Sequence, residues 1–404
     1  MSADSRPRAL VVFVHYSETL SYFDDWLDAF KTSRQLDIVP ANLATPLGRL
    51  RLRRSAGECD LVVLLHSVVG DSLTEVQRWG TPLLERRGPL VAFVGNEVSL
   101  PTQPIAAKLE VLRWLSPQFV ATQLPLDAGE YLYEGMGAQV LALPHALNPQ
   151  VFHPHGANEL RSIDIGFRGS RYPPHVGDDD RNRIIDYFST ISVDPPLAID
   201  IRINTSQHGR RAWAGFLNRC KATIGTESGG IELRRDDAIL GRTEAVVGVT
   251  PSESRTRALL RPVHRHVPRI VKSPLRRVGA LVTRRGSAPT APGAQPWRIT
   301  TTADGVSGKG ISSRHFDAIG TETCQILFPG RYNDILEADR HYLCLQADFS
   351  NIDDVLARFR DDRLRGELVR ETREWALSEH TYQHRVATLV DAVSASAQPP
   401  RAHL

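Results

Sequence analysis

Apolar residues along the first 145 positions fall into short unbroken runs separated by amphipathic stretches. Ala9-Leu10-Val11-Val12-Phe13-Val14 is followed by Phe23, Trp26, Leu27 and Phe30 at helical spacing, then by apolar runs at 61–65, 90–94 and 140–143. Runs that are continuous rather than alternating belong to strands covered on both faces, hence to a parallel sheet flanked by helices. Leu143-Pro144-His145-Ala146-Leu147-Asn148-Pro149 closes this half with turn chemistry. A second series begins at Ile163-Asp164-Ile165-Gly166-Phe167-Arg168-Gly169-Ser170 and continues through 197–203, 222–225, 326–328 and 342–345. Helical periodicity then runs from about 353 to 393. The pattern predicts an α/β protein with two Rossmann-like domains whose parallel sheets face each other across a cleft. Its expected parts are a first domain at 1–147, a second at 148–378, a closing helix at 379–395 and a flexible tail at 396–404. Ligands of such sheets bind at the carboxyl edges of the strands.

One stretch breaks the order. Between about 251 and 297, arginines such as Arg255, Arg257, Arg261, Arg265, Arg269, Arg276 and Arg277 stand against a single acid, Glu253. Apolar residues recur there at roughly helical spacing, but Pro262, Pro268 and Pro274 interrupt any helix. A basic amphipathic insertion suits an anionic membrane surface, with 255–285 as the contact. A solvated insertion with its arginines in water is the bland alternative. Nucleic acid is not expected as a partner, because the insertion lacks aromatic side chains for base stacking.

Composition narrows the picture only a little. The chain has 404 residues and a net charge of +3, which fits two ordinary globular domains. Its four cysteines, Cys59, Cys220, Cys324 and Cys344, show no metal-binding spacing and suit a reducing compartment. No apolar run is long enough to cross a bilayer, and 9–14 is too short for a signal peptide, so a cytoplasmic location is expected, with contact at the inner membrane face through the insertion. No GxGxxG follows the first strand, so no nicotinamide or flavin site is expected.

The second half holds the candidate chemistry. Ser312-Ser313-Arg314-His315-Phe316-Asp317-Ala318 reads as a helix start whose free N–H groups can meet a diphosphate, with a carboxylate nearby for sugar or ribose hydroxyls. Arg168, Gly169 and Ser170 follow a strand, where an arginine fork and a glycine permit close approach of phosphate. Lys221 and Arg314 are further cations. Asp178-Asp179-Asp180 precedes a helix and is read as complementing its dipole, not as a metal site. In the first half, Glu97 and His66 end predicted strands and face the expected cleft.

These segments, in this order, resemble GT-B-fold glycosyltransferases, and among them the bacterial spore-maturation (CgeB-like) group. The resemblance rests on 143–154, on 164–170, on 314–327 and on Glu379-His380-Thr381-Tyr382-Gln383-His384-Arg385. It implies transfer of a sugar from a nucleoside-diphosphate sugar, without a metal, to a glycan or lipid-linked acceptor in cell-surface polysaccharide assembly. The donor would sit in the second domain and the acceptor in the first. Glu97, or else His66, would be the general base of an inverting reaction. In the retaining branch of the fold two acids separated by seven residues hold the donor. Counting back from Asp317 gives Lys309, so that pattern is broken. Glu227, in Thr226-Glu227-Ser228-Gly229-Gly230, then becomes the candidate for the donor-sugar hydroxyls, with Asp317 or Glu322 for the ribose. Two other readings stay open: a non-catalytic relative that binds a glycan or a protein, and a nucleotide-sugar epimerase.

Overall fold

The structure, a computed structural model, describes residues 6–15, 21–70, 72–97, 104–173, 176–203, 209–237 and 305–396. The basic insertion, with the membrane contact expected at 255–285, lies outside the described residues, as do 397–404 of the tail.

Six parallel strands form the first sheet: β1 (Arg8–Phe13), β2 (Asp37–Asn42), β3 (Leu61–Leu64), β4 (Leu90–Phe93), β5 (Phe119–Thr122) and β6 (Gln139–Ala142), in the order β2-β1-β3-β4-β5-β6. The apolar runs become β1, β3, β4 and β6. Sequence reading passed over β2 and β5. The first carries Pro40, which has no N–H for a ladder and is tolerated because β2 is an edge strand paired only with β1. The connecting helices are α1 (Ser21–Lys31), α2 (Pro46–Ser55), α3 (His66–Val69), α4 (Thr74–Trp79), α5 (Ile105–Leu115) and α6 (Leu126–Tyr133).

The second sheet has five parallel strands: β7 (Ile163–Gly169), β8 (Ile199–Ile203), β9 (Cys220–Gly225), β10 (Cys324–Leu327) and β11 (Leu343–Cys344), in the order β11-β10-β9-β7-β8. Its helices are α7 (Asp180–Thr190), α8 (Arg210–Leu217), α9 (Ser313–Gly320), α10 (Ile352–Arg360) and α11 (Asp362–Glu379). The last helix, α12 (Tyr382–Ser396), returns to the first domain, where Tyr382, Val386 and Leu389 join Trp26 and Phe30 of α1 in one core. Backbone bonds from Leu147 N to His380 O (2.8 Å) and from Tyr382 N to Leu147 O (3.2 Å) fix that crossing. The architecture is the GT-B arrangement of two Rossmann-like domains.

Further contacts, among them the following three, join the domains. Asp25 Oδ1 on α1 accepts from Asn148 Nδ2 and from Arg210 Nη1 of α8, both at 2.7 Å. Asn333 Nδ2 donates to Gln123 O at 3.0 Å. The third contact is the stem of the long insertion, closed by antiparallel bridges Ser228↔Gly310 and Leu233↔Val306. Leu233 packs into the core of the first domain, and Asp237 Oδ1 accepts from Ile105 N at the start of α5 (2.8 Å). The described stem of the insertion is therefore rooted at the cleft and touches both domains.

Candidate active site between the two sheets

A cleft of about 450 Å³ lies where the carboxyl edges of the two sheets meet. One wall carries Gly95, Asn96 and Glu97 after β4, Gln123 and Leu124 after β5, and His145 after β6. The other carries Ser170, Arg171 and Tyr172 after β7, Ser228 and Gly229 after β9, and the start of α9 from Ile311 to Arg314.

The second wall is cationic. Ser312 caps α9, and its N–H donates to His315 Nδ1 at 3.0 Å, so that ring nitrogen is unprotonated. Burial holds His315 down at about 4, and the neutral ring leaves the capping bond intact near neutrality. The first turn of α9, with N–H groups that have no partner within the helix, opens on the cleft. Arg314 donates to the carbonyl of Arg168 and lies over the Trp213 ring, 5.4 Å from its centroid. Arg181, at the start of α7, stacks 3.8 Å above Tyr172 and donates to Ser228 Oγ at 3.0 Å. No carboxylate pairs with Arg181 among the described residues. Arg171 also reaches the cleft but is neutralised by Asp186, with Nη1 to Oδ2 at 2.9 Å.

The first wall carries buried titratable groups. Glu97 is buried and accepts from Tyr133 OH, Thr122 Oγ1 and Gln123 N. Burial outweighs these bonds and pushes its carboxyl group up to about 7, so it exchanges a proton near neutral pH. His145 Nδ1 faces Trp26 Nε1 at 3.3 Å and Tyr382 OH at 3.2 Å, and burial pulls the ring down to about 3.

The remaining candidates differ in where they sit. His66 does not line the cleft: it is fully buried between Trp26, Phe93 and His145, with ring centroids 5.5, 5.2 and 5.6 Å away. Burial holds it well below its ordinary range, leaving a neutral packing residue. Arg168 turns its guanidinium away, onto Asp200 and over the Phe216 ring at 4.0 Å. Its carbonyl, not its charge, serves the site by holding Arg314. Gly169 matters for space, since a Cβ there would stand 2.9 Å from the Phe167 ring and 3.2 Å from Arg314 Nη1. Ser170 lines the cleft.

The expectation of Lys221 and Glu322 at the donor site is corrected. Lys221 begins β9 and pairs with Asp164 at 2.9 Å, while Glu322 precedes β10 and stands 3.9 Å from Arg373. Both lie at the amino ends of strands, a strand length of roughly 13 Å from the cleft edge at about 3.3 Å per residue. Glu227 follows β9 but turns into the loop after β10, where Oε1 accepts from Tyr332 N at 2.7 Å and the side chain packs on Gly330. Asp317 is buried on the inner face of α9 and accepts from Trp213 Nε1 at 2.9 Å. It thus orients the ring beneath Arg314. Burial, and then Asp25 nearby, raise Asp317 well above the usual carboxylate range.

Lys309, where the strict two-acid pattern fails, meets the acidic triplet. Its Nζ lies 3.0 Å from Asp178 Oδ2 and 2.9 Å from Asp180 Oδ2. The three acids lie close enough to share a cation, and this ammonium supplies positive charge there. Sequence reading missed Arg181 because the acids before it were read only as a helix-dipole complement. It missed His145 because that residue was read as part of a turn.

The fold and the site define a cleft between two α/β domains, with arginines on one side and buried titratable groups on the other. Residues 297–391, from before α9 into α12, match a family model described as Glycosyl transferase-like, so this part of the chain is glycosyltransferase-like. Solved structures similar to the chain include HepE of Anabaena in complex with UDP-glucose, at 11% identity and a TM-score of 0.47, covering 96% of this chain and 100% of that one. Another is the trehalose-6-phosphate phosphatase N-terminal domain of Candida albicans, at 9% identity and a TM-score of 0.43, with 98% of each chain covered. SnogD of Streptomyces nogalater, a glycosyltransferase, is 12% identical with a TM-score of 0.35, over 96% of this chain and 100% of that one. At such scores none of the three bears on the site. No curated protein matches the chain.

Proposed function

We propose that the protein is a metal-independent glycosyltransferase that moves a sugar from a nucleoside-diphosphate sugar to a glycan or lipid-linked acceptor. The observation that carries this reading is the opposition of the two walls. Arg181, Arg314 and the start of α9 converge on one side of the cleft, while Glu97, poised near neutrality, faces them from the other. In an inverting displacement, Glu97 takes the proton of the acceptor hydroxyl as its oxygen attacks the anomeric carbon. The bond from that carbon to the diphosphate breaks, and the departing charge meets the arginines and the helix N–H groups. Positive charge supplied by side chains performs the task a metal performs in other transferases. A place in the CgeB-like group, and a role in cell-surface polysaccharide assembly at the inner membrane face, belong to this proposal through the sequence resemblance.

One observation favours a second reading, a non-catalytic binding module: the carboxylates of Glu227 and Asp317 are both engaged inside the protein and do not line the cleft. Calorimetry of the purified protein with UDP, GDP, TDP and CMP and their sugar conjugates separates the two. The transferase reading expects one nucleotide to bind selectively, to stabilise the fold and to lose affinity in Arg314→Ala. Failure of every nucleotide to bind would sink it.

A further inference from the structure

Glu97 reaches the cleft on a four-residue segment that follows β4, tied to the sheet at its first residue by Val94 N to Ala121 O of β5 (3.0 Å). Asn96 has a φ of 51°, the left-handed region that a non-glycine residue enters only when its surroundings impose it. Beneath the segment runs α5, with Ile105, Leu109 and Leu112 on its buried face. In the same buried face stands Lys108, with no exposed surface at all. A buried ammonium is costly unless it is fully used. This one donates to Gly95 O at 3.2 Å and to Asn96 O. It therefore grips the two carbonyls immediately before Glu97, one of them belonging to the strained residue. Its charge also counteracts the burial that raises Glu97.

We propose that Lys108 is the positioning residue of the acceptor-side wall: its buried ammonium holds the Gly95 and Asn96 carbonyls so that the carboxyl group of Glu97 enters the cleft. The inference rests on the reading of Glu97 as the proton acceptor, and it adds a residue that never touches substrate. The stem of the insertion bears on the same helix, since Asp237 accepts from Ile105 N one turn before Lys108. The segment carrying Glu97 is thus anchored through α5 to a part of the chain that belongs to the other domain.

The test is the titration of Glu97, followed by carbon-13 NMR in the full chain labelled at glutamate carboxyl carbons, with Glu97→Gln to assign the resonance. Wild type should titrate at about 7. Lys108→Met should move the midpoint up by roughly 1 pH unit, while Lys108→Arg, which keeps a charged donor, should stay near wild type. A lysine that only fills space would be replaced by methionine without any movement of the midpoint, and that result, in a variant that melts as wild type does, overturns the proposal. If Lys108→Met does not fold, Asn96→Val decides, because valine resists the left-handed backbone while the lysine remains. A displaced Glu97 midpoint there supports the proposal, and an unmoved one overturns it. Calorimetry with UDP and GDP on the same samples reports separately on the transferase reading, because nucleotide affinity belongs to the opposite wall.

Discussion

The two walls of the cleft come from the same kind of parallel sheet edge, yet they handle charge in opposite ways. On the first wall, Trp26 of α1 and Tyr382 of α12 enclose His145, while Thr122, Tyr133 and Lys108 surround Glu97. Burial then drives carboxyl and imidazole groups toward neutrality, Glu97 up to about 7 and His145 down to about 3. On the second wall, glycine- and serine-bearing turns and a helix start line the cleft, and the guanidinium groups of Arg181 and Arg314 lie over aromatic faces. The strand edge supplies position, and what packs behind it sets the protonation state. A proton acceptor on one side and an anion cradle on the other need no more than that division.

The division can be broken most severely at Glu97. Glu97→Gln should reduce turnover by about 10²–10⁴-fold while nucleotide affinity holds within roughly twofold. Steady-state rates beside calorimetry on the same preparation measure both, and equal losses in the two would erase the distinction between the walls.

A second effect reads the burial of the first wall's titratable groups through stability. The folded-state value of Glu97 is raised from an ordinary 4.5 to about 7, so its contribution is fully present below about pH 4.5 and is lost as pH rises through 7. His145 runs the other way: lowered from 6.5 to about 3, its contribution is present above 6.5 and lost as pH falls. Denaturant unfolding of wild type and Glu97→Gln between pH 4 and 8 isolates the carboxyl part, on the order of 2–4 kcal/mol across the window. Parallel curves for the two proteins would mean that Glu97 is solvated.

The cationic wall answers to a different substitution. Arg181→Ala and Arg314→Ala should each weaken nucleoside-diphosphate binding by roughly 10–100-fold, the scale of one charge-assisted hydrogen bond, and leave the Glu97 titration in place. Competition calorimetry measures the loss. Because Asp317 holds Trp213 under Arg314, Asp317→Ala should give part of the same loss without any contact to the ligand.

Much of this was legible in the chain, for reasons that differ along it. Continuous apolar runs announced β1, β3, β4 and β6, because strands buried on both faces have no polar alternation to hide them. Arg314, Ser170 and Glu97 could be placed at the cleft because strand ends and a helix start are local features. What lay beyond reading was side-chain direction. Arg168 and Glu227 follow the right strands, but the residues that capture their charged ends, Asp200 and the backbone of Tyr332, are distant in sequence. His66 follows a strand too, and only the packing of Phe93 and Trp26 shows that it is walled off. Lys108 carried no signal either: a lysine on a helix reads as solvated until its burial is seen.

The smallest expected effect concerns what keeps the two walls in register. Arg210, at the start of α8, reaches across to Asp25 and Asp28 of α1, with Nη1 2.7 Å from a carboxylate oxygen of each. Asp25 is buried, and burial raises it to about 6 even with Arg210 beside it. Removing the arginine leaves that carboxyl group inside the protein with Asn148 still donating to it, a situation that costs several kcal/mol when the pair is fully enclosed. Here the guanidinium keeps 26% of its side-chain surface exposed, and Asp25 can take up a proton instead. Arg210→Ala should therefore destabilise the fold by only about 1–2 kcal/mol, with the loss shrinking below pH 6 as Asp25 becomes neutral. Urea unfolding at pH 5 and pH 8 distinguishes this from a purely steric contact, which would give the same loss at both. If the loss is pH-dependent and nucleotide affinity falls with it, the bridge holds the cationic wall opposite Glu97. A pH-dependent loss with affinity unchanged would show instead that each wall keeps its shape without the other.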